Sequence, residues 1–147
     1  MQTDLPNEAY VKAWMSPPEH TVRPDAFADD AFATLKRERI RHLLVTDDQD
    51  ALVGVVTDRD LRRPDWTGGI LSVRDMYLLG DELRVYDVMS DQVATVTPDT
   101  PVADAAVMMS ERKIDCLPVM RDDELVGIIT SSDLLAALAH EHDPAAI

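Results

Sequence analysis

The sequence predicts an α/β fold built from two copies of one β-α-β-β-α unit. Three observations carry that prediction. The phrase "LVGVVTDRDL" at Leu52–Leu61 returns as "LVGIITSSDL" at Leu125–Leu134. "AWMSPPEHTVRPD" at Ala13–Asp25 aligns with "DVMSDQVATVTPD" at Asp87–Asp99, with Met15 and Met89 74 residues apart. Between these anchors Ala31, Leu35, Ile40, Leu43 and Val45 fall on Ala105, Met109, Ile114, Leu117 and Val119 at the same offset. A register held this long marks a duplicated unit.

Each unit reads in the same order. A short β segment comes first, Thr21–Val22 or Thr95–Val96. Pro and Asp follow, which suit a turn and a helix start. The helix places Ala28, Ala31, Phe32 and Leu35 on one face of the first copy, and Val102, Ala105, Ala106 and Met109 on one face of the second. Strands follow at Leu43–Thr46 and Leu117–Met120. The polar turns "DDQD" and "RDDE" come next. Past them Gly54 falls on Gly127, an offset of 73, so the turn Asp47–Ala51 is one residue longer than its counterpart. The β-branched runs "LVGVVT" and "LVGIIT" form the last strands, and a helix opens at Asp58 or Ser131. The division predicted is a lead at 1–7, unit one at 8–62, a linker at 63–84, unit two at 85–141 and a tail at 142–147. Glu8–Met15 reads as a short helix. In the linker Pro64 and Gly68-Gly69 break structure, and "LSVRDMYLL" reads as a helical turn begun by Ser72.

Composition narrows the function. A chain of 147 residues buries roughly 68–70% of its unfolded surface, enough to fold without staples. The single cysteine, Cys116, excludes an internal disulfide and fits a reducing compartment. No leader pattern and no long apolar run is visible, so the expected location is the cytoplasm, with no membrane partner. A formal charge of −14 repels nucleic acid at long range. A phosphate ligand must therefore be held by local donors. Asp29-Asp30, Asp47-Asp48 and Asp122-Asp123 fall at helix starts and turn tips, where solvated Asp is ordinary, so no metal site is expected. "HEH" at His140–His142 lacks the helical spacing of metal ligands. Cys116 has no base partner and reads as a small core residue. No catalytic triad, phosphate loop or dinucleotide fingerprint is present.

A Gly, two hydrophobics, Thr, two variable residues and Asp, closing a tandem β-α-β-β-α unit, resemble a CBS domain pair (Bateman module). "VMS" at Val88–Ser90 and "CLPV" at Cys116–Val119 agree with it, and the likeness covers about residues 8–140. The resemblance implies a stand-alone regulatory module, not an enzyme. Its two units would pack sheet to sheet with pseudo-two-fold symmetry, leaving two clefts for adenosine-containing ligands: AMP, ADP, ATP or S-adenosylmethionine. No cofactor is required, and magnesium is left open as a companion of the ligand. The family also implies a homodimer and an effector protein that the sequence does not identify. The helices would bring Phe32, Leu35, Met109, Leu135 and Leu138 near the partner copy.

The residues suit such a ligand. A ribose offers two neighbouring hydroxyls, and Asp60 or Asp133 can accept from both, each bond contributing roughly 1.5–3 kcal/mol. Thr57 and Thr130, with free N–H groups at the helix starts, suit phosphate oxygens. The middle positions differ: Asp58 and Arg59 in one copy, Ser131 and Ser132 in the other. Arg41 and His42 precede the second strand of the first copy, and the resemblance directs such basic residues toward phosphate. Asp115 and Cys116 hold the matching places and lack that ability. His42 would add pH sensitivity near neutrality. The family's adenine slot maps to Val22, Leu44, Val96 and Pro118, with Leu44 a departure because Pro118 stands at its counterpart. The plainer reading is that the threonines and aspartates are helix caps and the apolar four are core. The module would then be a ligand-free interaction or dimerisation unit.

Overall fold

The structure, a computed structural model, describes residues 6–18, 20–62 and 83–141. Trp66, Gly68, Gly69, the turn begun by Ser72 and the tail after Glu141 lie outside the described residues. The first repeat forms β1 (Thr21–Val22), α1 (Ala28–Glu38), β2 (His42–Thr46), β3 (Leu52–Thr57) and α2 (Asp58–Arg62). A one-turn helix α3 (Val85–Val88) precedes the second repeat, which forms α4 (Val102–Arg112), β4 (Cys116–Arg121), β5 (Glu124–Thr130) and α5 (Ser131–Glu141). Glu8–Met15 is not one helix. Two single 3-10 turns, Asn7–Ala9 and Val11–Ala13, are separated by an extended Tyr10.

The turns before α1 and α4 form as the Pro-Asp pairs suggest. Ala26 N–H donates to the Arg23 carbonyl at 3.1 Å, and Thr100 N–H to the Thr97 carbonyl at 3.1 Å. Neither helix gains a side-chain cap. Both end on a left-handed basic residue, Arg39 at φ 57° and Lys113 at φ 57°. Ile40 N–H then reaches back to the Leu35 carbonyl, and Ile114 N–H to the Met109 carbonyl, each at 3.0 Å. That five-residue reach is the Schellman closure, which turns the next residue onto the helix's buried side.

In the first sheet β1 runs parallel to β2, and β2 antiparallel to β3; β4 and β5 pair antiparallel. The expected strand Thr95–Val96 shrinks to one bridge, Val96 with Val119. Proline explains the loss. Val96 N–H donates to the Pro118 carbonyl and Met120 N–H to the Val96 carbonyl, at 3.1 and 2.8 Å. A second bridge at Thr95 needs an N–H from residue 118, which Pro118 lacks. The matching Leu44 has one, so β1 extends to Thr21.

The chain packs as two compact units, and their borders differ from those of the repeats. The first unit joins residues 20–62 to 83–93, and the second joins 6–18 to 94–141. Each repeat's lead segment has crossed to the other repeat. Val85 N–H donates to the Ala26 carbonyl and Tyr86 N–H to the Pro24 carbonyl; Val11 and Lys12 repeat these bonds on Thr100 and Pro98, all at 2.8–2.9 Å. Leu83 and Arg84, expected in the linker, belong to the first unit: the Leu83 carbonyl accepts the Ala28 N–H at 2.8 Å, and Arg84 bridges Phe27.

Each unit has its own core. Ala28, Ala31, Leu35, Leu43, Val45, Val56, Leu61 and Val85 form the first. Val11, Val96, Ala105, Met109, Leu117, Val119 and Ile129 form the second. Leu35 and Met109 are therefore spent inside their own units, which corrects the expectation that they face a partner copy. Leu135 and Leu138 on α5 are exposed. No helix of the described residues is long and apolar enough to cross a membrane.

Candidate functional site

The repeated phrase holds three kinds of position. Gly54 and Gly127 are places of close approach. A Cβ on Gly54 would lie 2.5 Å from Met89 Sδ and 3.0 Å from the Ser90 carbonyl oxygen. On Gly127 it would lie 2.8 Å from the Ser16 carbonyl oxygen and 3.2 Å from Met15 Sδ. The two "MS" pairs thus pass over the glycine of the opposite repeat. Val55 and Ser90 exchange backbone bonds at 2.9 and 3.0 Å, and Ser16 and Ile128 exchange theirs at 2.9 Å.

At the end of each phrase Thr and Asp meet. Thr57 N–H donates to Asp60 Oδ2 at 3.0 Å, and Asp60 N–H to Thr57 Oγ1 at 3.2 Å. Thr130 N–H donates to Asp133 Oδ2 at 2.8 Å, its hydroxyl lies 3.1 Å from the same oxygen, and Asp133 N–H donates to Thr130 Oγ1 at 3.3 Å. Both are reciprocal capping boxes, the arrangement of the plainer reading. Each uses one oxygen of its carboxylate. The Oδ1 atoms of Asp60 and Asp133 have no hydrogen-bond partner among the described residues, and both aspartates are half-buried.

The supply of helix-start N–H groups is smaller than expected. Asp58 N–H donates to the Arg41 carbonyl at 3.0 Å, and Ser131 N–H to the Asp115 carbonyl at 2.8 Å. With Asp60 and Asp133 N–H spent on threonine oxygens, Arg59 and Ser132 carry the remaining first-turn donors. A phosphate there would rely on side chains as much as on backbone.

Register gathers the other predicted residues. His42 is the strand partner of Thr57, and Cys116 is that of Thr130. Arg41 and Asp115 are fixed against the helix starts by the carbonyl bonds above. Arg41, His42 and Thr57–Asp60 therefore share one end of the first unit. Asp115, Cys116 and Thr130–Asp133 share the matching end of the second. Burial, and secondly the Asp115 charge, push the Cys116 thiol up to about 12, so it stays protonated near neutral pH and offers no nucleophile.

The apolar four divide. Leu44 and Pro118 are almost fully buried yet absent from the helix-side cores, as strand alternation requires of residues next to Leu43, Val45, Leu117 and Val119. Val96 is 4% exposed inside the second core, and Val22 packs on the first. Val22 and Val96 thus lie with the helix-side cores, whereas Leu44 and Pro118 do not. Val55 and Ile128 are the strand partners of Leu44 and Pro118, two residues before each threonine of the phrase. Asp47 serves its turn, with Oδ1 accepting the N–H groups of Gln49 and Ala51 at 2.9 Å.

Known proteins resemble this chain in sequence and fold. The CBS domain family model matches residues 11–64 and 85–140. The mitochondrial CBS domain-containing protein CBSX3 of Arabidopsis thaliana is 30% identical over 117 residues; the match covers 77% of this chain and 53% of that protein. The crystal structure of CBSX2 in complex with AMP is 31% identical, with TM-score 0.75, covering 91% of this chain and 98% of that one. The CBS domain pair of protein MJ0100, in complex with 5′-methylthioadenosine and S-adenosyl-L-methionine, is 26% identical, with TM-score 0.75 and coverage of 90% and 97%. Two matched copies, two α/β units and the doubled Thr-x-x-Asp ends agree: the chain belongs to the CBS domain family, as a tandem pair.

Proposed function

We propose that the chain is a regulatory sensor that binds an adenosine-containing ligand at its two Thr-x-x-Asp ends and passes binding on as a change of packing. The observation that carries this reading is the unspent Oδ1 on each half-buried aspartate, beside a threonine that the fold has already oriented. A ribose diol can donate to that oxygen without first breaking the cap. The AMP complex of CBSX2 and the methylthioadenosine and S-adenosylmethionine complex of MJ0100 support the ligand class. Magnesium would accompany only a di- or triphosphate. The module works in the cytoplasm and carries no chemistry of its own. Val107, Leu135 and Leu138, at 53%, 65% and 52% exposure on α4 and α5, support a homodimer through these helices. The effector that receives the signal is a protein.

The completeness of the capping boxes favours a second reading, a ligand-free interaction module. Calorimetric titration with AMP, ADP, ATP and S-adenosylmethionine separates the two. On the sensor reading a ligand binds, and Asp60→Ala or Asp133→Ala weakens it about tenfold or more, from one charge-assisted bond of about 1.5–3 kcal/mol. No binding to the wild type, with and without magnesium, leaves the interaction module.

A further inference from the structure

The two ends differ most where matching residues press on the helix starts. At the first end Arg41 and Arg59 stand with Asp58 and Asp60, so formal charges cancel. At the second, Asp115 and Asp133 stand with Cys116, Ser131 and Ser132, and none of these five side chains carries positive charge. These residues share an end by geometry. The Arg41 carbonyl holds Asp58 N–H at 3.0 Å, and the Asp115 carbonyl holds Ser131 N–H at 2.8 Å. The Asp115 charge is felt within the fold, since it adds to burial in raising the neighbouring Cys116 thiol. A 5′-phosphate brought beside Ser131 and Ser132 has their hydroxyls and the Ser132 N–H as donors, but the formal charge of the two carboxylates there is uncompensated. Beside Arg59 the charges of Asp58 and Asp60 are balanced by those of Arg41 and Arg59.

We propose that the two ends sort adenosine derivatives by the charge of their 5′ substituent. The Thr57–Asp60 end takes a 5′-phosphate, and the Thr130–Asp133 end takes a neutral or cationic group such as a thioether or a sulfonium. This rests on the adenosine reading above and goes further by assigning a ligand class to each end. Unlike charges at a few ångströms attract and like charges repel with a strength that salt lowers. The sorting is therefore steepest at low ionic strength.

The test is calorimetry at low salt with AMP, adenosine, 5′-methylthioadenosine and S-adenosylmethionine. Asp133→Ala is expected to keep AMP and to lose the sulfur-bearing ligands. Asp60→Ala is expected to do the reverse. Because both substitutions remove a cap, a second variant leaves the caps alone. Asp115→Arg, at an exposed residue, should raise AMP affinity at the second end about tenfold and weaken S-adenosylmethionine there, with both effects shrinking in 0.5 M salt. AMP binding equally at both ends in the wild type, or an Asp115→Arg variant with unchanged AMP affinity, overturns the sorting while leaving the adenosine reading intact. A folded wild type that binds none of the four overturns both.

Discussion

Replacing Gly127 by Ala tests how the lead segment is held. The new Cβ lies 2.8 Å from the Ser16 carbonyl oxygen and 3.2 Å from Met15 Sδ. The sulfur can swing away on a flexible chain. The carbonyl cannot, because it accepts the Ile128 N–H at 2.9 Å while Ser16 N–H donates to the Ile128 carbonyl at 2.9 Å. Restricting the unfolded chain gains about 0.4–1 kcal/mol. Overpacking costs about 1–3 kcal/mol, and each strained Ser16–Ile128 bond adds about 1 kcal/mol. With both bonds strained the net expectation is a loss of about 2–5 kcal/mol. Gly54→Ala gives the comparison. Its shortest contact, 2.5 Å, is to the flexible Met89 Sδ, and its backbone contact, the Ser90 carbonyl, is longer at 3.0 Å. It should cost about 1 kcal/mol less, and part of its cost should disappear when Met89→Ala is added. Urea unfolding followed by far-ultraviolet circular dichroism measures both. Limited proteolysis should show residues 6–18 released first in Gly127→Ala. A Gly127→Ala variant within 0.5 kcal/mol of wild type, or one milder than Gly54→Ala, would refute the reasoning.

The caps and the thiol give further expectations alongside the titrations above. Asp133 accepts from both the N–H and the hydroxyl of Thr130, while Asp60 accepts from the Thr57 N–H alone. Without ligand, Asp133→Ala should therefore destabilise by about 1–2 kcal/mol and Asp60→Ala by less; the reverse order in urea titrations counts against the capping geometry. Cys116 should resist iodoacetamide at pH 8 until the chain is unfolded, because the thiol is buried and its proton is held to about 12. Its folded value stands above the ordinary 9.0, so the unfolded chain loses the proton first. Stability should fall as pH rises from about 9 toward 12, and Cys116→Ala should remove that part of the slope.

The elements of each repeat were legible because period-2 and period-3.6 patterns leave direct traces. Leu43, Val45 and Val56 sit where alternation puts them, and Ala31 and Leu35 where the helix face does. The helix ends were less legible. Arg39 and Lys113 adopt the left-handed conformation that a glycine would have advertised. Pro118 was noticed as a difference from Leu44, but its effect on the length of the neighbouring strand is a backbone matter that needs the pairing register. The Thr and Asp positions were legible as a pair at the right spacing. Whether they cap the helix or hold a ligand was not, since both roles use the same atoms at the same spacing. The family resemblance puts Val96 in the adenine slot, and in the structure it lies in the second core beside its bridge partner Val119. Cys116 as a protonated core residue was legible from the lack of any base nearby.

The crossing of the lead segments was beyond any one-repeat reading, yet its cause lies in the phrase itself. A repeat aligned with its own copy shows Met-Ser before the first strand and Gly inside the last, with no hint that they touch. In the structure they touch across copies: Met89-Ser90 lies on Gly54 and Met15-Ser16 on Gly127. The outer edge of β3 is paired through Val55 only when Ser90 arrives, and that of β5 through Ile128 only when Ser16 does. An unpaired strand edge exposes backbone donors and acceptors and invites wrong partners. A single repeat would leave Val55 or Ile128 in that condition and would lack Val85 or Val11, the fully buried residues that close each core. The glycine is thus kept by the other repeat's backbone, while the Thr and Asp of the same phrase are kept by the helix they cap. Duplication binds the two copies through the glycines, and the ends beyond them remain open to diverge, as Asp58-Arg59 and Ser131-Ser132 have.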